Sequence, residues 1–408
     1  MKCRHCTFEL QLPFLDLGSA PPSNAYLSSA ALNRPETWYP LRVLVCNQCW
    51  LVQTADQAGH ETLFTQDYAY FSSFSRTWLD HAQQYLNQMI SRFNLNTSSC
   101  LVEVAANDGY LLQFVQQSGI PCYGLEPTSS TATAARSKGI EIIERFFGLE
   151  LAEELAQAGR QADLIVANNV LAHVPDINDF VSGFSRLLKP EGIATFEFPH
   201  LLRIVQQNQF DTFYHEHYSY LSLTAVQSIF IDNGLSVFDV EELPTHGGSL
   251  RVYANRSDTG TQTQTPAVTQ LLRMEDTAGM NSLGFYQEFQ HMAERIKDDL
   301  LLCLIDAKRR GLKVGAYGAA AKGNTLLNFA GIRPDLVPYV VDKNPAKKGK
   351  YMPGSRIPIV DEAYLKVHRP DLILILPWNL RAELFAQLAY VREWGGQLMI
   401  AVPKLEVF

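Results

Sequence analysis

Four of the seven cysteines have the spacing to bind a metal. Cys3-x-x-Cys6 and Cys46-x-x-Cys49 form two knuckles, each presenting two thiols from one tight turn. Two such knuckles can supply four thiolates to a tetrahedral zinc. Four thiolates close the coordination shell, so the metal is expected to hold the fold and do no chemistry. A thioredoxin-like redox pair is the alternative, but neither knuckle lies in a βαβ unit. The densest run of reactive side chains is Phe213-Tyr214-His215-Glu216-His217-Tyr218-Ser219-Tyr220. Its histidines are two apart, so they do not share a helical face for zinc as in H-E-x-x-H. In an extended strand they would share one face, with Glu216 on the other. An aromatic core with satisfied histidines is the bland alternative, and it would have to accommodate three ionisable groups in a row.

Val102-Glu103-Val104-Ala105-Ala106-Asn107-Asp108-Gly109 reads as a strand running into a polar turn that ends in Gly before a helix. Backbone N–H groups at such a corner, with a Gly that permits close approach, suit a nucleoside. Glu126 ends the next strand, where an acid can bond both ribose hydroxyls; a helix cap is the other reading. The missing G-x-G-x-x-G disfavours a pyrophosphate-bearing dinucleotide and leaves a phosphate-free nucleoside such as S-adenosylmethionine as the better fit. A later strand ends in Asn168 and Asn169, followed by His173. Near the C-terminus, Gly315-Ala-Tyr317-Gly318-Ala-Ala-Ala-Lys322-Gly323-Asn324 puts small residues at a strand-to-helix turn followed by Lys, a composition suited to phosphate. Asp342 stands where a dinucleotide fold places its ribose acid, which opens a rival reading, an NAD(P)-dependent oxidoreductase on this second sheet. Against it, the spacing is G-x-x-G, too short for the dinucleotide fingerprint. Close helix–strand packing would explain the glycines with no ligand at all.

To position these groups the chain must alternate strands and helices. LVEVA, CYGLE, IEIIERF, ADLIVANNV and GIATFEFP are short β-rich runs separated by helical stretches, the pattern of a parallel doubly wound sheet. LSVFDVEEL and GGSLRVYAN, joined through Pro244-Thr245-His246-Gly247-Gly248, read as an antiparallel pair at its edge. A polar stretch over 257–268 reads as a linker. Phe285, Phe289, Met292, Ile296, Leu300 and Leu304 then form a helical stripe, with Gly311 placed to stop the helix. KVGAYG, VPYVVD, IPIVD, DLILILP and QLMIAVP restart the rhythm as a second open sheet. The expected fold is α/β in three parts: a zinc-binding module over 1–65, a nucleoside-binding Rossmann-like domain over 66–260, and a linker helix with a second Rossmann-like domain over 261–408.

At 408 residues the chain has room for two to four domains. Its formal net charge of -8 and pI near 5.7 offer no basic field to phosphate backbones or anionic lipid, so no nucleic-acid or membrane partner is expected. The N-terminus has no apolar signal region, and the cysteines are unevenly spread. Both point to a reduced, cytoplasmic setting.

The corner, the Asn-Asn-x-x-x-His strand end and the LLKPEG that follows resemble the class I S-adenosylmethionine-dependent methyltransferases. The match extends further: the zinc knuckles, ANDGYLL, NNVLAHVPD, YHEHYSYLS, HGGSLRVY, YGAAAKGNTLLNF and LPWN resemble, in this order and over essentially the whole chain, the sugar C-methyltransferases that act on nucleotide-linked 4-keto-6-deoxyhexoses. One departure is Ala105, where many methyltransferases carry Gly. The resemblance implies C-methylation at C3 of such a sugar by base-assisted enediolate formation, with S-adenosylmethionine and a structural zinc as cofactors and a monomeric enzyme. It implies His217 as base, Glu216 and Tyr214 as groups that hold and polarise the sugar, and Tyr68, Asn169 and His173 as the rest of the pocket. Glu103, Asn107, Asp108, Gly109, Glu126 and Asn168 would hold the cofactor. Tyr70, His246, Ser249, Tyr317, Lys322 and Asn324 would hold the sugar nucleotide, with the diphosphate near Lys322. An O- or N-methyltransferase acting on a sugar and a non-catalytic zinc scaffold are two further rival functions.

Overall fold

The computed structural model describes residues 1–55 and 71–408. Tyr68 and Tyr70 lie outside the described residues. The N-terminal module is an antiparallel sheet of β1 (Leu12–Ala20), β2 (Tyr39–Val45) and β3 (Val52–Thr54), and its fourth strand is the distant Ser219–Tyr220 from the reactive run. Alternation in β1 and β2 turns Phe14, Leu41, Val43 and Val45 inward.

The central sheet contains β4 (Leu101–Val104), β5 (Cys122–Leu125), β6 (Ile142–Ile143), β7 (Ala162–Asn168), β8 (Leu188–Pro199), β10 (Leu235–Leu243) and β11 (Ser249–Arg256), with Ser219–Tyr220 counted as β9. Its order is β10-β11-β8-β7-β4-β5-β6; β4 to β8 are parallel, and the β10–β11 hairpin is antiparallel to β8. Every residue of β4 is buried, as befits a parallel strand covered on both faces. IEIIERF contributes only the edge pair Ile142–Ile143, because its charged residues turn outward, Glu144 to Arg136 and Arg145 to Glu154.

The third sheet runs β14-β13-β12-β15-β16-β17, from β12 (Val314–Tyr317), β13 (Val340–Val341), β14 (Ile359–Val360), β15 (Leu372–Ile375), β16 (Gln397–Ile400) and β17 (Glu406–Val407), all parallel except β17. The helix Phe289–Arg309 joins it to the N-terminal module by burying Phe289, Ala293, Ile296, Leu300 and Leu304, and Gly311 at φ +73° follows its end. Phe285 and Met292, expected in the same stripe, lie at its rim.

Just past the expected boundary at 260/261, the chain packs back onto the central domain. The stretch read as a linker already begins the helix Pro266–Thr277, whose Val268 and Leu271 join the central core. Its buried Glu275 accepts from His200 Nε2 at 2.7 Å and from the N–H groups of Leu223 and Thr224. The three parts are not beads: one core runs from Phe14 through Phe213 and Tyr220 to Leu326 and Ile373. Among the described residues no helix is long and apolar enough to cross a membrane.

Candidate functional site

At the zinc knuckles the four Sγ atoms lie within 4.8 Å of one another, with Cys3–Cys49 at 3.6 Å and Cys6–Cys46 at 3.4 Å. Tetrahedral zinc with Zn–S near 2.3 Å requires S–S edges of about 3.8 Å, so this donor set fits the metal. Each knuckle closes in the same way. Thr7 N donates to Cys3 O and Trp50 N to Cys46 O, with Thr7 and Trp50 both in the left-handed region. Gln53 Nε2 adds an N–H to Cys3 Sγ at 3.2 Å.

In the central sheet the chain leaves β4 toward β5 on one side and returns to β7 on the other, so the crevice at their carboxyl ends is the topological switch point. Glu126, just past β5, accepts from Asn107 N and Thr128 N, each at 2.9 Å. It therefore caps the turn and still has lone pairs for ribose hydroxyls. Asn168 and Glu103 are buried beside the Tyr110 hydroxyl, and neither amide atom of Asn168 nor either carboxylate oxygen of Glu103 has a partner within normal geometry. Burial holds the Glu103 carboxyl well above its usual range; the Tyr110 hydroxyl beside it opposes that shift, and Asp108 and Glu126 add to it. Unsatisfied donors and acceptors at a switch point fit a nucleoside carrying an amino-acid arm.

Two of the expected cofactor residues have close neighbours inside the protein. Asp108 is turned toward Lys138 Nζ at 3.6 Å and Ser73 N at 3.3 Å. At Gly109, φ +74°, an added Cβ would meet Ile140 Cδ1 at 2.3 Å. Both residues shape the corner from behind. Asn107 Oδ1 accepts from Ser72 N at 2.9 Å, and Ala105, where Gly is commoner, takes φ +57°.

The run 213–218 is a turn, not a strand, so its histidines part company. His217 N donates to Tyr214 O at 3.0 Å. His215 Nε2 lies 3.1 Å from Tyr39 O in the N-terminal sheet. Glu216 accepts from Asn24 Nδ2 at 2.8 and 3.0 Å. His217 sits with its ring 4.1 Å from that of Tyr214 and edge-on to His173 at 4.5 Å, while Tyr218 N, donating to Ala172 O, pins the turn to the end of β7.

The third sheet has its own switch point between β12 and β15, and it opens onto the same place. There Lys322 Nζ lies 4.5 Å over the Trp378 ring, and Trp378 Nε1 donates to Asp211 Oδ2 at 2.8 Å, beside the reactive turn. A Cβ on Gly247 would touch Trp378, which brings the neighbouring His246 to the cluster; His246 Nε2 is 3.5 Å from Asn169 Nδ2. Asn169, His173, Tyr214, His246 and Lys322 are each half-buried, in the cleft where the two switch points meet. Crowding nevertheless governs their charge. Burial takes His173 and His246 down to about 4, with Lys322 adding to the effect at His246. Burial, reinforced by His173, His246 and Lys322, takes His217 well below its ordinary value. Burial lowers Lys322, opposed by Asp211, and pushes Asp211 up to about 6.

Three of the expected substrate residues also bond inside the protein. Ser249 Oγ donates to Thr245 O at 3.0 Å; Tyr317 Oη bonds Gln387 Nε2; Asn324 Nδ2 donates to Ser23 O at 2.6 Å. The glycine turn is packed: a Cβ on Gly318 would meet Pro377 at 2.4 Å and one on Gly323 would meet Leu376 at 2.8 Å. Asp342 is occupied by the N–H groups of Ala319 and Asn344. Sequence reasoning missed Asp211 and Asn24, single polar residues in unremarkable context. It also missed Glu197, which holds His81 at 2.9 Å, Arg251 at 3.0 Å and Thr245 at 3.0 Å; a buried charge inside FEFP was a readable signal.

Family profiles match three consecutive stretches: a zinc binding domain over 3–64, a methyltransferase domain over 78–240, and a C-methyltransferase C-terminal domain over 244–403. The ubiquinone biosynthesis O-methyltransferase of Rhizobium etli (strain CIAT 652) is 26% identical over 97 residues, covering 23% of this chain and 38% of that one. Among solved structures, magnesium protoporphyrin IX methyltransferase from Synechocystis PCC 6803 with bound SAH aligns at 17% identity and TM-score 0.36, covering 44% of this chain and 83% of that one. The C-methyltransferase NovU of Streptomyces niveus is 32% identical over 406 residues, 100% of this chain and 96% of that one. A relative matched from end to end, through the zinc knuckles, the nucleoside crevice and the second sheet alike, shows that this chain belongs to the C-methyltransferase family, with S-adenosylmethionine as methyl donor and zinc in its N-terminal module.

Proposed function

We propose that the enzyme methylates C3 of a nucleotide-diphosphate 4-keto-6-deoxyhexose. The observation that carries this reading is the meeting of His217, His173, His246 and Lys322 in one cleft where the switch points of two sheets open together. Bound S-adenosylmethionine supplies an electrophilic methyl group; the protein has to make the carbon nucleophilic. A ketone at C4 acidifies the C3 proton, and His217, kept neutral by burial with the Lys322 charge nearby, is the base that removes it at a ring nitrogen. Its depressed pKa makes it a weak base alone. Negative charge arriving on the sugar offsets the Lys322 charge that helps depress it, so its basicity rises when substrate is present. Neutral His173 and the Tyr214 hydroxyl are the donors for the enediolate oxygen, and Glu216 holds the sugar hydroxyls. Lys322, at the second switch point, neutralises the diphosphate.

The test uses the substrate's own C3 proton. In deuterated buffer with S-adenosylhomocysteine bound, the wild type is expected to exchange that proton. His217→Asn is expected to lose both exchange and methyl transfer while binding both ligands. Near-normal turnover by His217→Asn would reassign the base to His173 or His246.

A further inference from the structure

The segment Pro21–Leu27 lies in the N-terminal module, yet its polar groups reach the other two domains. Asn24 Nδ2 lies 2.8 Å from Glu216 Oε1 and 3.0 Å from Oε2, so one amide donor faces both carboxylate oxygens. The neighbours of Asn24 fix it from both sides. Ser23 O accepts from Asn324 Nδ2 at 2.6 Å, and Tyr26 Oη donates to Ala319 O at 2.6 Å, both on the glycine turn of the third sheet. Leu27 exchanges N–H···O bonds with Tyr351, at 3.0 and 2.8 Å. Gly354, on the same C-terminal turn, is fitted against Pro21 and donates its N–H to Glu36 at 2.6 Å. The strap is therefore anchored on the C-terminal domain, and it presents a single amide to a carboxylate of the central domain.

We propose that Asn24 is a positioning residue that fixes the rotation of the Glu216 carboxylate, so that the zinc module completes the active site as well as stapling the N-terminus. An amide group within reach of both carboxylate oxygens fixes the plane in which they lie. Asn24 itself neither gains nor loses a proton at any working pH, so it can hold the acid without competing for the substrate's protons. The kinetic part of this inference rests on the reading of Glu216 as a sugar-holding group; the contact itself does not.

Two measurements test it. In an enzyme turning over a 4-keto-6-deoxy sugar nucleotide, Asn24→Ala is expected to lower kcat by about 10- to 100-fold. The KM for S-adenosylmethionine, the zinc content and the melting temperature should stay near wild type. In a Glu216→Gln background the same substitution should add less than about twofold, because the two residues act as one unit. Should Asn24→Ala unfold the strap, the near-isosteric Asn24→Leu, which lacks the N–H donor and adds no charge, is expected to show the same coupling. A wild-type kcat in these variants, or a loss that adds in full to that of Glu216→Gln, overturns the proposal. The second measurement needs no turnover. In protein labelled with 13C at glutamate carboxyls, the resonance that disappears in Glu216→Gln is expected to shift in Asn24→Ala. An unmoved resonance overturns the proposal whatever the substrate is. A moved resonance with no sugar turned over by the wild type supports it and faults only the substrate reading.

Discussion

Gly109 is where two explanations of a glycine can be separated by one substitution. At φ +74° any other residue pays for left-handed backbone, about 1–2 kcal/mol. A Cβ there would also sit 2.3 Å from Ile140 Cδ1 and 3.3 Å from Ala135 Cβ, and forcing a methyl into a filled core costs about 1–3 kcal/mol more. Gly109→Ala is therefore expected to destabilise the central domain by about 2–5 kcal/mol, and its melting temperature should fall by roughly 4–20 °C. Ile140→Val deletes the clashing Cδ1 at an intrinsic cost of about 0.5–1.5 kcal/mol. The double variant should therefore be more stable than the sum of the singles by about 1–3 kcal/mol, with only the backbone strain left over. The assay is calorimetric unfolding of the four proteins, paired with titration of S-adenosylhomocysteine. If Gly109→Ala melted within about 1 °C of wild type while binding the ligand poorly, the glycine would face the cofactor and the packing account would be refuted.

Fresh reduced protein is expected to carry one zinc per chain, and Cys46→Ser should lose it and open the N-terminal module to protease; well under one equivalent in the wild type would count against the metal. Glu126→Ala should weaken S-adenosylhomocysteine binding by about 1.5–3 kcal/mol in calorimetry, since it removes both a ribose acceptor and the clamp on Asn107 N; unchanged affinity would leave the acid as a cap alone. His246, depressed to about 4 in the fold, binds its proton near pH 6.5 when unfolded, so its contribution to stability is present above about pH 6.5 and is lost as pH falls toward 4. The stability of wild type relative to His246→Gln should therefore drop by about 2 kcal/mol across that window, and the opposite contribution of Asp211, raised to about 6, should largely cancel in the comparison. A pH-independent difference would refute the burial account of His246.

What was legible in the sequence is what local pattern controls. The β-rich runs of both sheets, the edge hairpin and the long helix each follow from periodicity over a dozen residues, and the zinc ligands follow from spacing alone. The helix Pro266–Thr277 is hidden because the polar threonines before it read as a linker. What assigns that helix to the central domain is long-range: a buried Glu275 that accepts a hydrogen bond from His200 and the N–H groups at the start of another helix. Likewise the glycines of both strand-to-helix corners invite a ligand, yet Gly109, Gly318 and Gly323 face Ile140, Pro377 and Leu376. Nothing in the spacing of a glycine tells which side of the turn is occupied.

The reactive run shows the same limit at the level of chemistry. Alternation in a strand would have paired His215 with His217, but the His217 N–H to Tyr214 O bond makes a turn, and the three ionisable groups leave it in three directions. His215 goes to the N-terminal sheet, Glu216 to the strap at Asn24, and His217 to the cleft. That divergence gives the run its density, since one short segment touches every part of the chain that the reaction needs. It supplies a strand to the zinc module through Ser219–Tyr220 and a carbonyl to the C-terminal domain through Phe213 O, which accepts from Thr325 Oγ1 at 3.0 Å. It also docks on β7 of the cofactor sheet through Tyr218 N. On the proposed reading, a base that must reach a sugar held by one sheet and a methyl donor held by another has to sit on such a junction, and the turn of His217 contacts all three domains.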